Sequence, residues 1–152
     1  MGRVLVVYMS STGTTEKMAE YVAEGVRMAG HEAYLKRISE ISRGNDLAGF
    51  DGYIFGCPTY HLDIPQPFTS FLDMAQRAGL QGRAGGAFSS RTHPSSSEGG
   101  AAAARVFEIM ELGLRMKMTE LGPFEVKADV IDSPDGMRAC QEYGSSIAKM
   151  LG

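Results

Sequence analysis

The segment Arg3-Val4-Leu5-Val6-Val7-Tyr8 runs straight into Met9-Ser10-Ser11-Thr12-Gly13-Thr14-Thr15, and this junction constrains the fold more than any other stretch. An apolar, β-branched run without polar alternation is a strand buried on both faces, the pattern of a parallel sheet covered by helices. From Thr15 to Ala29 the residues Met18, Val22, Gly25, Val26 and Ala29 step by three and four, and Gly30 supplies a stop. An amphipathic helix therefore follows the strand.

The same alternation continues. His31 to Ile38 reads as a second strand with one wetter face, as at a sheet edge, and Gly52 to Gly56 as a short buried third strand. Cys57 to Pro67 reads as a loop, with Pro67 opening a helix whose face is Phe68, Phe71, Leu72 and Ala75. Gly82 to Ser90 is a fourth strand, weakened by Gly85 and Gly86. A third helix carries Ala103, Val106, Phe107, Met110 and Leu114, and Met116 to Val126 returns as β with an interruption near Gly122-Pro123. Ser133 caps a last helix with Pro134 at its first position and a stripe of Met137, Cys140, Gly144, Ile147 and Leu151.

Strands alternating with helical crossovers imply an α/β, three-layer, doubly wound sandwich. The 152 residues fit one domain, 1–152, against roughly 100 to 200 residues per domain. Such sheets hold ligands in the crevice beyond the carboxyl ends of their strands. Chemistry is expected in three loops: Met9 to Thr15, Cys57 to Pro65, and Ser89 to Gly99.

Lys and Arg number 15 against 18 Asp and Glu, a net charge of −3, so no global positive field favours nucleic acid or a membrane surface. No apolar run reaches the roughly 18 residues of a membrane span. Cys57 and Cys140 lack zinc spacing and are too few for a disulfide framework. The expectation is a cytoplasmic protein with reduced thiols. No metal-ligand spacing and no hydrolase motif is present, so no catalytic residue is assigned.

In the first loop, five of the six residues from Ser10 to Thr15 carry hydroxyls. Backbone N–H groups and the positive end of the helix dipole face outward there, and the hydroxyls add neutral donors for a phosphate. Gly13 permits a positive φ, letting the main chain approach an anion. Helix capping alone explains one or two hydroxyls, not five. The loop holds neither a P-loop lysine nor a Gly-x-Gly-x-x-Gly fingerprint, so a phosphate monoester fits better than a triphosphate or a dinucleotide.

Together, the Ser10 to Thr15 loop after Val4 to Tyr8, the Gly56-Cys57-Pro58-Thr59-Tyr60 turn, and the Gly86-Ala87-Phe88-Ser89 strand end resemble the flavodoxin family over essentially the whole chain. The likeness is nearest to the short flavodoxin modules of flavo-diiron proteins. It implies a five-stranded parallel sheet of order 2-1-3-4-5 and an FMN cofactor, the example with which that strand order is usually illustrated. By the resemblance, Ser10, Ser11, Thr12, Gly13, Thr14 and Thr15 hold the FMN phosphate. Pro58, Thr59, Tyr60 and His61 line one side of the isoalloxazine, and Ser89, Ser90, Arg91, Thr92, His93 and Gly99 form the other flavin loop. The chain contains no Trp, so the π-face falls to Tyr60 or His61.

The leading expectation is an FMN-binding electron-transfer protein shuttling electrons between a reductase and an acceptor, both redox proteins, as a monomer or weak homodimer. The rival is a flavodoxin-like NAD(P)H:quinone reductase, and a third possibility is a flavin-free binding module. Arg91 is either a partner for an anionic flavin or an exposed loop arginine, and arginines are mostly exposed. His61 and His93 are either flavin neighbours or solvated. Cys57 reads as a buried thiol rather than a reactive one.

Overall fold

The computed structural model describes residues 1–10, 13–59, 64–91 and 101–151. Strands β1 (Arg3–Tyr8), β2 (Glu32–Arg37), β3 (Gly52–Pro58) and β4 (Ala84–Arg91) pair in parallel in the order β2-β1-β3-β4. The fifth position is filled by two short strands, β5 (Lys117–Met118) and β6 (Phe124–Lys127), each parallel to β4. The order is thus the expected 2-1-3-4-5. The continuous Met116 to Val126 strand is corrected to two pieces, because a turn in which the N–H of Gly122 donates to the carbonyl of Thr119 lifts the chain off β4. Gly122 has φ +76°, a conformation that glycine adopts without strain.

Helices α1 (Thr14–Met28) and α4 (Pro134–Lys149) cover one face of the sheet, and α2 (Gln66–Ala75) and α3 (Ala101–Glu108) the other. The β1 run explains why both faces are covered: Val4 and Val6 pack with Met18, Val22, Cys140 and Ile147, while Leu5 and Val7 pack with Phe68, Phe71, Val106 and Met110. Burying this many large side chains at about 25 cal/mol per Å² is what fixes the layers. Among the described residues, no helix is long and apolar enough to cross a membrane.

Several boundaries differ from expectation. β3 extends through Cys57 and Pro58, and β4 through Arg91, so the loops begin later than the sequence implies. On α4 the stripe is completed by Tyr143, which the helical spacing had not included, while Met137 and Leu151 are only half-buried.

Candidate functional site

At the carboxyl ends of the strands the described parts of all three expected loops converge. The ladder continues past β1 with the N–H of Met9 donating to the carbonyl of Gly56 at 3.0 Å, and past β3 with that of Thr59 donating to the carbonyl of Ser90 at 3.0 Å. Ser90 also binds sideways. Its hydroxyl shares a hydrogen with that of Thr15 across 2.7 Å, and both side chains are buried. One serine at the end of β4 therefore ties together the start of α1 and the exit of β3.

Gly13 is the N-cap of α1 with φ +89°, as its expected role requires. Having no side chain, it caps none of the first-turn N–H groups, and a Cβ there would meet no atom of the described residues within 4 Å. Glycine is demanded by backbone conformation and the described residues leave room beside it, which is what an anion-binding loop needs. The hydroxyl of Ser10 closes this loop by accepting from the N–H of Gly13 at 3.0 Å. Neutral donors, a left-handed glycine and a helix N-terminus meet at one end of the sheet, a set that suits a phosphate monoester.

Charge around the loop is compensated. Glu16, in the first turn of α1, accepts from the Tyr8 hydroxyl and from an Arg37 guanidinium nitrogen, each at 2.8 Å. These two bonds, that of Tyr8 first, hold its carboxyl below the ordinary range, while burial and then Glu16 push the Tyr8 hydroxyl up. Asp132, before α4, accepts from Tyr21 at 2.6 Å and from Lys17 at 3.2 Å, so its carboxyl is lowered and the Tyr21 hydroxyl pushed up to about 12.

On the other side, Glu125 of β6 lies in register with Ser89 of β4, which is in register with Cys57 of β3. Its carboxylate contacts Arg91 Nε at 2.9 Å and accepts from the hydroxyls of Ser89 at 3.2 Å and Thr59 at 3.5 Å. The Arg91 Nε approach lacks the alignment of a hydrogen bond and acts as a charge contact. The exposed-loop reading of Arg91 is thus corrected: the residue lies on β4, and its side chain is 24% exposed. Burial pushes the Cys57 thiol up to about 12, in keeping with a structural role.

Of the expected site residues, Ser10, Gly13, Thr14, Thr15, Pro58, Thr59, Ser89, Ser90 and Arg91 are described and stand at this end of the sheet. Ser11, Thr12, Tyr60, His61, Thr92, His93 and Gly99 lie outside the described residues. Sequence reasoning missed Glu125 and the Tyr8–Glu16–Arg37 group. The signal for Glu125 was a lone acid in the strand segment Phe124-Glu125-Val126-Lys127, with nothing local to say that it faces Ser89. A cleft of about 440 Å³ lined by Gly2, Asp51, Arg83, Lys117 and Leu151 opens at the amino ends of the strands, away from these groups.

Residues 6–131 match the family described as Flavodoxin. A Cupriavidus metallidurans protein named NAD(P)H dehydrogenase (quinone) is 32% identical over 145 residues, 80% of this chain and 71% of that one. A flavodoxin of Maridesulfovibrio salexigens is 34% identical over 86 residues, 55% of this chain and 59% of that one. Among solved structures, a flavodoxin from the domain Archaea superposes with a TM-score of 0.86 at 21% identity, over 98% of both chains.

Proposed function

The chain belongs to the flavodoxin family, and on that footing we propose that it binds FMN and carries electrons between redox protein partners. The observation that carries the reading is the Thr15–Ser90–Thr59 tie, which gathers the first loop and the ends of β3 and β4 around the left-handed Gly13. FMN, when bound, takes up and releases electrons one or two at a time. The protein's part is to hold and orient it. Ser10 to Thr15 would hold the phosphate through amides and hydroxyls, and Pro58, Thr59, Tyr60 and His61 on one loop and Ser89, Ser90, Arg91, Thr92, His93 and Gly99 on the other would hold the ring.

A second reading, an NAD(P)H:quinone reductase, is favoured by the names of relatives such as the Cupriavidus and Paraburkholderia phymatum proteins, each called NAD(P)H dehydrogenase (quinone). Reconstitution with FMN followed by assay with NADPH and a quinone separates the two. The carrier reading expects one bound flavin per chain and no steady turnover until a separate reductase is added. Sustained turnover by the purified protein alone refutes it in favour of the second reading.

A further inference from the structure

We propose that Glu125 is a positioning residue of the flavin site: its carboxylate is a counter-charge to Arg91 and pins the ends of β3 and β4, so that a flavin bound there would meet a balanced pair rather than excess positive charge. This role rests on the FMN reading above. Three features carry it. Glu125 occupies the last strand position of the sheet at the end where doubly wound folds hold ligands, level with Ser89 and two register rows from Arg91, on the same face. Its side chain is 13% exposed, and a carboxylate that far from water is unfavourable unless paired. Its partners among the described residues, Arg91, Ser89 and Thr59, are expected flavin-loop residues.

The neighbouring pair shows that this arrangement is not an ordinary surface contact. Lys127 and Asp129 stand 3.7 Å apart with side chains 36% and 69% exposed, a geometry that solvent screens. The Arg91–Glu125 pair is closer and drier, so removing one partner withdraws a counter-charge where water screens little. The sign follows from Coulomb's law. Reduction adds negative charge to the flavin, the guanidinium of Arg91 favours that charge, and the carboxylate of Glu125 opposes it. One unit charge about 10 Å away at an effective dielectric of about 20 changes the reduction equilibrium on the order of tenfold, which is about 59 mV for one electron.

The test compares wild-type, E125Q, R91Q and R91Q/E125Q proteins loaded with FMN and titrated anaerobically with dithionite, the potentials being read from absorbance. E125Q is expected to raise the lower one-electron potential by about tenfold in equilibrium constant. R91Q lowers it, and the double variant lies within about threefold of wild type because the wall is again neutral. If E125Q does not fold, R91Q carries the test with the opposite sign. Urea unfolding of the four apoproteins gives a flavin-free readout, with an Arg91–Glu125 coupling of at least about fivefold in the unfolding equilibrium. An E125Q shift below threefold, an equal shift in the double variant, or an uncoupled apoprotein cycle overturns the proposal. Wild-type protein that takes up no FMN refutes the function proposed above and this role with it. Normal FMN uptake with a potential indifferent to the charge at 125 refutes this role alone.

Discussion

Between Met118 and Phe124 the β4 ladder is broken, and a side chain from a helix repairs it. The hydroxyl of Tyr143 on α4 accepts from the buried N–H of Ala87 at 3.0 Å and donates to the carbonyl of Gly122 at 2.7 Å. Tyr143→Phe keeps the ring, which stacks on Phe124 at 5.0 Å and 17°, and deletes both bonds. The Ala87 N–H is then buried without that acceptor, a loss of about 1–3 kcal/mol, whereas the half-buried Gly122 carbonyl recovers a water and costs about 0.5–1 kcal/mol. The expected destabilisation is about 2–3 kcal/mol, which for a chain of this size lowers Tm by roughly 4–10 °C. Urea unfolding at neutral pH measures it, and amide exchange locates it, with Ala87 losing protection before its β3-facing neighbours. The Tyr143 hydroxyl stays protonated at neutral pH because burial pushes it upward, so ionisation does not confuse the comparison. A Tyr143→Phe protein within 0.5 kcal/mol of wild type would refute the idea that this hydroxyl closes the ladder.

Gly144→Ala places a Cβ 2.0 Å from the carbonyl oxygen of Val22 on α1. We expect it to lose about 1–3 kcal/mol or more in a urea titration despite alanine's better helix propensity, and an unchanged midpoint contradicts the close α1–α4 contact. Acid should also weaken the fold in a defined direction. Glu16 and Asp132 titrate below their ordinary values of 4.5 and 3.8, so their stabilisation is present above those values and is lost as pH falls through the lower folded ones. Asp132→Asn should flatten part of the stability loss measured from pH 5 downward, and an unaltered acid profile counts against the Tyr21–Asp132–Lys17 contact.

The layers were legible because they depend on local periodicity: the Val4 to Val7 run could be satisfied only by helices on both faces. Gly13 was legible for the same reason, since a left-handed residue before a helix leaves a mark in the sequence itself. Gly85 and Gly86 were read as weakness in β4, and the structure gives the reason for them. A Cβ on Gly85 would meet Met118 Sδ at 2.8 Å, and one on Gly86 would meet Ile147 at 2.9 Å and Tyr143 at 3.1 Å. The glycines make room for residues 33 and 57 positions further on, from Gly85 to Met118 and from Gly86 to Tyr143, and no local pattern announces that.

The same distinction divides the candidate site. Ser10 to Gly13 is a local turn, visible as a hydroxyl-rich string, but its orientation depends on Thr15 meeting Ser90, 75 residues away. That contact exists only because β1 and β4 both flank β3, so the topology brings the end of β4 beside the start of α1. Glu125 follows the same logic one strand further out: its identity is plain in the sequence, yet its partners are set by the parallel register that puts Phe124 opposite Phe88. A register shifted by one residue would turn Glu125 to the opposite face, away from Ser89 and Arg91. The turn at Thr119 to Pro123, which divides the fifth strand and is held by Tyr143, therefore also sets where the acid at the flavin end of the sheet can stand.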